Sequence, residues 1–134
     1  MMNVLIVEDS DTVRKNLSAM LAEFSGVRIV GCAVSEADAI EQVESLHPDA
    51  VVLDIKLQSG SGVNVLKHIK KHHADIKVIV LTNCTDDEYV EACRKAHADY
   101  FFDKSFQFMR VRDLFAAWSC TGSANSQAGN RTPD

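Results

Sequence analysis

The sequence predicts an α/β fold: a three-layer sandwich in which one five-stranded parallel sheet lies between two layers of helices. Three observations carry this. Short apolar runs begin near residues 3, 27, 50, 76 and 99, and each is followed by a longer amphipathic segment. The runs are rich in Val, Ile and Leu without polar alternation, as strands buried on both faces require. Strict strand-helix alternation gives parallel pairing with right-handed crossovers. Spacing alone leaves the strand order open.

The elements follow in order. After the first strand (3–7), Val13, Leu17, Met20, Leu21 and Phe24 recur at three- and four-residue spacing and predict a helix over 12–24. Ser10 or Asp11 caps it and Gly26 stops it. Ser35 to Asp38 resembles a capping box opening a second helix, which buries Ile40, Val43 and Leu46. Pro48 ends that helix, because proline disfavours helical geometry in the residue before it. A third helix over 61–72 faces inward through Val65, Leu66 and Ile69. Thr85 to Glu88 reads as another capping box, for a fourth helix ending near Ala96. The fifth, over 106–118, puts Phe108, Val111, Leu114, Phe115 and Trp118 on one stripe. Residues 1–118 thus form the domain, and 119–134 read as a small, polar, disordered tail that cannot offset the entropy of ordering.

Composition narrows the function. A chain of 134 residues holds one core, and its 46 % apolar and 25 % charged content is that of an ordinary globular protein. A net charge of −5 with no basic block argues against direct nucleic-acid binding, which needs clustered Lys and Arg. No apolar run approaches the roughly 20 residues that span a bilayer, and the N-terminus reads as a strand rather than a signal peptide. A cytoplasmic protein with no membrane partner is expected. Cys32, Cys84, Cys93 and Cys120 form no Cys-x-x-Cys pair and read as free thiols. His68, His72 and His73 fall on one helix among Lys67, Lys70 and Lys71, whose charge repels a cation; they read as a solvated face.

Polar residues stand where four of the apolar runs end: Glu8 and Asp9, Asp54, Thr82, and Lys104. Ligands of open parallel sheets bind beyond the carboxyl ends of the strands, so these groups converge. Unit charges about 4 Å apart repel by about 4 kcal/mol at an effective dielectric of about 20, and one lysine is too little to offset three carboxylates. A hard divalent ion with oxygen ligands, Mg2+, supplies the rest. Taken singly, acids at a helix N-terminus also read as caps, and Thr82 and Phe101 as ordinary strand and core residues.

The runs Val4-Leu5-Ile6-Val7-Glu8-Asp9-Ser10, Val51-Val52-Leu53-Asp54-Ile55-Lys56-Leu57 with Gly62, Val80-Leu81-Thr82 and Phe101-Phe102-Asp103-Lys104 resemble the receiver domain of bacterial response regulators. The resemblance covers about residues 2–118. It implies the flavodoxin-like strand order 2-1-3-4-5. It also implies that Asp54 accepts a phosphoryl group from a histidine kinase, a phosphotransfer protein or a small phosphodonor. Asp9, Asp54 and the backbone carbonyl of Lys56 would hold Mg2+, with Glu8 acting through water. Lys104 would pair with a phosphoryl oxygen. Thr82 and Phe101, with Tyr100 as second choice, would form a switch that alters the face made by helix 4, strand 5 and helix 5. That face would signal to a downstream protein and is a possible homodimer surface. On this reading the chain is a single-domain regulator and a phosphoacceptor rather than an enzyme.

Departures from the family pattern set further expectations. Ser105 stands where proline is usual after Lys104, so a cis peptide is not favoured there. Gln58 likewise replaces a common proline, and Asn83 a smaller residue. Lys56, Asn83 and Cys84 flank the site, and Lys56 with Asn83 is expected to hinder attacking water and lengthen the acyl phosphate's lifetime. Two enzyme or cofactor readings fail on single residues. A haloacid dehalogenase-type phosphatase needs an acid where Lys56 stands. A flavodoxin loop cradling flavin phosphate would be repelled by Glu8 and Asp9. The remaining alternative is a receiver-like binding module that works unphosphorylated.

Overall fold

The computed structural model describes residues 1–124. Five strands, β1 (Met2–Val7), β2 (Val27–Ala33), β3 (Ala50–Leu53), β4 (Lys77–Thr82) and β5 (Tyr100–Asp103), form one sheet in the order β2-β1-β3-β4-β5. Every pair is parallel. Helices α1 (Asp11–Leu21), α2 (Glu36–Leu46), α3 (Gly62–His72), α4 (Asp87–Lys95) and α5 (Phe108–Ala124) fill the crossovers and the C-terminus.

The pleat divides the core in two. Leu5, Val7, Val51, Leu53, Val78 and Val80 pack with α2, α3 and α4 through Val43, Leu66, Ile69 and Cys93. Val4, Ile6, Val52, Ile79 and Leu81 point the other way, onto Leu17 and Leu21 of α1 and Val111 and Phe115 of α5. Alternate residues of a central strand are therefore all buried, which is why these strands show no polar alternation. Full burial of one such Leu or Phe contributes about 1.5–3 kcal/mol. At the β2 edge the register with β1 slips between Val4 and Leu5, and Arg28 and Cys32 face solvent. An irregular, partly polar edge discourages pairing with another chain.

Helix signals are mostly honoured, with informative exceptions. Ser10 accepts from the Val13 N–H at 3.3 Å and Ser35 from the Asp38 N–H at 3.2 Å. The Asp38 carboxylate takes the Gln42 amide instead of returning to Ser35, so only half of that capping box forms. At α4 the cap is Asp86 rather than Thr85, with no side-chain bond, so the second box does not form. Helix α1 stops at Leu21 rather than 24; tighter bonds from Glu23 and Phe24 N–H to Met20 and Leu21 carbonyls turn the chain while Phe24 stays on the core. Helix α5 begins at Phe108, because Phe106 lies in the preceding turn and is 87 % exposed, and it continues past Trp118 to Ala124. Residues 125–134, with most of the expected tail, lie outside the described residues.

Candidate functional site at the carboxyl edge of the sheet

Strand register gathers the polar strand ends. Val7 pairs with Leu53, Leu53 with Val80, and Thr82 with Asp103, so the residues just beyond them share one edge. Backbone bonds from Glu8 N–H to the Ala33 carbonyl, Asp54 N–H to Val7 and Lys104 N–H to Thr82 extend the ladder by one residue and fix where each side chain leaves.

Carboxylate oxygens of Glu8, Asp9 and Asp54 lie within 4.8 Å of one another. Glu8 and Asp54 are buried, whereas Asp9 is exposed. The Lys104 Nζ donates to Asp54 Oδ2 at 2.8 Å and to Glu8 Oε1 at 2.9 Å. The Ile55 N–H donates to Asp54 Oδ1 at 2.7 Å, and the Ser10 N–H to Glu8 Oε2 at 3.0 Å. Burial raises the Glu8 pKa against the lowering effect of its bonds from Lys104 and Ser10, and the Asp54 charge adds to the rise. Burial would lower the Lys104 pKa, but bonds to Asp54 and Glu8 and their charges outweigh it, and the net shift is upward. The ammonium is therefore charged, and three carboxylates around it still leave an excess of negative charge. An all-oxygen donor set with that excess fits a hard divalent cation such as Mg2+.

Thr82 is fully buried, and its Oγ1 accepts from the Cys84 N–H at 3.1 Å, which leaves its hydroxyl hydrogen free to be donated elsewhere. Phe101 is half-buried against the α3–α4 side of the core. Tyr100 lies on the other side, edge-on to Trp118 at 5.9 Å. Asn83 is exposed and its Oδ1 accepts from the Ser105 hydroxyl at 3.1 Å, tying the β4 and β5 loops together. The Lys104–Ser105 peptide is trans, as are all peptides of the described residues. Lys56 is exposed, and among the described residues its ammonium makes no ion pair.

One contributor escapes sequence reasoning altogether, and so does the role of another. The Arg14 Nη1 donates to the Glu8 carbonyl at 3.1 Å, reaching back from one turn inside α1. Gly62 N–H donates to the Ile55 carbonyl at 2.7 Å, and that close approach fixes the β3–α3 loop. Gly62 is visible in sequence as part of a motif, but its reason is not.

On the α4-β5-α5 face, some charged side chains are paired within the chain. Arg94 bonds Glu91, and the Arg112 Nη2 donates to Glu23, in the turn after α1, at 3.0 Å. Val90, Phe106 and Met109 are exposed large apolar residues there.

A two-sided parallel sheet with an acid cluster and a half-buried ammonium at its carboxyl edge is an α/β domain with a polar site beyond its strand ends. The family model of the response regulator receiver domain matches residues 4–116. The chain belongs to that family. It is 33 % identical over 120 residues to the response regulator GacA of Pseudomonas aeruginosa, covering 87 % of this chain and 56 % of GacA. It is 30 % identical over 131 residues to the DNA-binding transcriptional activator DevR/DosR of Mycobacterium tuberculosis, covering 98 % of this chain and 59 % of that one. The chain thus spans about half the length of the curated relatives it matches. Among solved structures, the response regulator domain of Thermotoga maritima CheB superposes with a TM-score of 0.77 at 26 % identity, over 99 % of both chains. The fold order and the receiver family agree with the sequence-based expectation.

Proposed function

We propose that Asp54 is a phosphoacceptor and that the domain relays its phosphorylation state through protein contacts on the α4-β5-α5 face. The observation that carries this is the Lys104 ammonium bridging Asp54 and Glu8 beside Asp9. An Asp54 carboxylate oxygen attacks the phosphorus of a phosphohistidine or a small phosphodonor. A P–O bond forms, the bond to the donor breaks, and the leaving group departs with its electron pair. Lys104 then exchanges a carboxylate partner for a phosphoryl oxygen, and the Thr82 hydroxyl donates to the same group. Asp9, Asp54 and the Lys56 carbonyl would hold Mg2+, with Glu8 acting through water. When bound, the ion would supply neutralisation of the negative charge at the transferring phosphoryl group. Phe101, packed near α4, is the side chain placed to follow movement of β4 and its loop, biasing a two-state surface.

Intact mass after treatment with a small phosphodonor and Mg2+ is expected to show one added phosphoryl group, and Asp54→Asn to show none. Full modification of that variant would remove Asp54 from its role. No modification of the parent would favour the alternative, a receiver-like module that binds partners unphosphorylated.

The partners supported are a histidine kinase or phosphotransfer protein upstream and a protein target downstream; the acidic balance supports neither nucleic acid nor membrane as a direct ligand of this domain. No helix of the described residues is long and apolar enough to cross a membrane, and a cytoplasmic location is part of this proposal. Lys56, exposed and without an acidic partner, is free to reach over the phosphoryl group and with Asn83 and Cys84 to restrict attacking water. Lys56→Asn is expected to shorten the acyl phosphate's lifetime severalfold; an unchanged decay rate would drop Lys56 from the account.

A further inference from the structure

At the other end of the sheet, α2 and α3 bring together side chains remote in sequence. The Nε2 atoms of His68 and His73 each lie 2.8 Å from one oxygen, Glu44 Oε2. His68 and His73 are part-buried and Glu44 is exposed. All three ligand atoms fall within 4.8 Å of one another. Because α2 and α3 run back from the carboxyl edge, their C-terminal turns sit at the amino edge, far along the fold from Asp54. A cavity of about 190 Å3 lined by His47, Asp49, His73 and Asp75 adjoins the cluster.

We propose that Glu44, His68 and His73 form a second cation site, for a borderline-soft divalent transition metal such as Zn2+, that clamps α2 to α3. Two imidazoles and one carboxylate are a donor set that zinc accepts, leaving a fourth position to water. Magnesium prefers an all-oxygen shell, so the two poles of the domain select different ions. Glu44 is exposed and presents one carboxylate oxygen between the two ring nitrogens. Binding requires each ring to present the Nε2 lone pair, with its proton on Nδ1, and Glu44 Oε2 to draw back from the two nitrogens so that the ion can enter.

Two of the three lysines that argue against a cation in the sequence are engaged elsewhere in the fold. The Lys70 Nζ lies 2.7 Å from Asp99 Oδ2 and donates to the Ile76 carbonyl at 2.7 Å. Lys67 lines a groove with Glu88 and Glu91 of α4. Lys71 is exposed, where salt and water screen its charge.

Calorimetric titration of the full chain with Zn2+, with Mg2+ saturating, is expected to show one zinc per chain and a zinc-dependent rise in Tm. Loss of a direct ligand should cost more than the about 10- to 100-fold that removal of an outer-shell partner costs. Glu44→Gln and His73→Gln should therefore each weaken zinc binding by more than about tenfold. Glu44 is exposed, so its variant reads the site without a folding defect. His72→Gln and Asp54→Asn should leave zinc binding unchanged. His72 sits beside His68 with rings 4.7 Å apart, and its loss weakening zinc in place of His73 would mean an ordinary helical pair, overturning the proposal. Zinc binding lost in Asp54→Asn but kept in Glu44→Gln would place the ion in the carboxyl-edge cluster and overturn it equally, as would no zinc binding by the parent. Phosphoryl transfer to Asp54 is not needed for any of these readings.

Discussion

Lys104→Ala is expected to destabilise the metal-free domain by about 3–5 kcal/mol, the cost of leaving a buried ion partner uncompensated. The ammonium is the cation bonded to both buried acids, Glu8 at 2.9 Å and Asp54 at 2.8 Å. Its removal leaves two buried carboxylates facing each other and Asp9. Coulomb repulsion alone does not set the size of the effect. The larger part is desolvation no longer offset by a partner. Millimolar Mg2+ should restore much of the loss, because a divalent ion replaces the missing charge, and the variant should gain more Tm from Mg2+ than the parent does. Asp54→Asn works in the opposite direction. It removes one of the crowded acids while Lys104 keeps Glu8, so the metal-free variant should match or exceed the parent's stability. Thermal melts of the three proteins in chelator and in Mg2+ make the comparison. A Lys104→Ala melt equal to the parent's in chelator would show that the lysine is not holding the acids together.

The same residues explain how far the sequence carries the site. Glu8, Asp54 and Thr82 are legible because each is the first polar residue after an apolar run, and Lys104 follows such a run with Asp103 between; a parallel sheet places all such ends on one edge. That they share an edge needs periodicity only; that they are neighbours on it needs the strand order, which the family resemblance implies. The Glu44 cluster needs more: His68 and His73 lie 24 and 29 residues from Glu44, and the way α2 packs beside α3 decides whether they meet. Sequence shows the lysines beside the histidines but not Asp99 drawing Lys70 aside. Local signals fail in a related way. Thr85 to Glu88 has the composition of a capping box, yet the β4–α4 loop places Asp86 at the cap position. Caps are decided by backbone geometry that the loop inherits from its strand, not by composition.

Gly62→Ala is expected to be strongly damaging, well beyond Gly31→Ala. A Cβ there would lie 2.0 Å from the Asp54 carbonyl oxygen and 2.8 Å from the Ile55 Cα. Both are backbone atoms of the segment that carries the acceptor, so no rotamer change relieves the clash. Either α3 withdraws or the β3–α3 loop moves, and the Gly62 N–H bond to the Ile55 carbonyl goes with it. Overpacking usually costs about 1–3 kcal/mol, and a clash against backbone on this scale belongs at or above the top of that range. Displacing Asp54 also takes its carboxylate away from Lys104 and the other acids, so phosphoryl uptake should fall along with stability. Gly31→Ala is the control. Its nearest obstacle is the Gln42 Oε1 at 2.3 Å, the end of a flexible side chain that can swing aside, so its loss should be clearly smaller. Urea unfolding gives the stability difference, and intact mass after phosphodonor treatment gives the functional one. If Gly62→Ala unfolds at the parent's midpoint and takes up phosphate normally, the tight approach of α3 to Asp54 is not what positions the acceptor. If stability falls but uptake by the folded fraction is intact, the glycine serves packing and Asp54 is held by its strand and Lys104 alone.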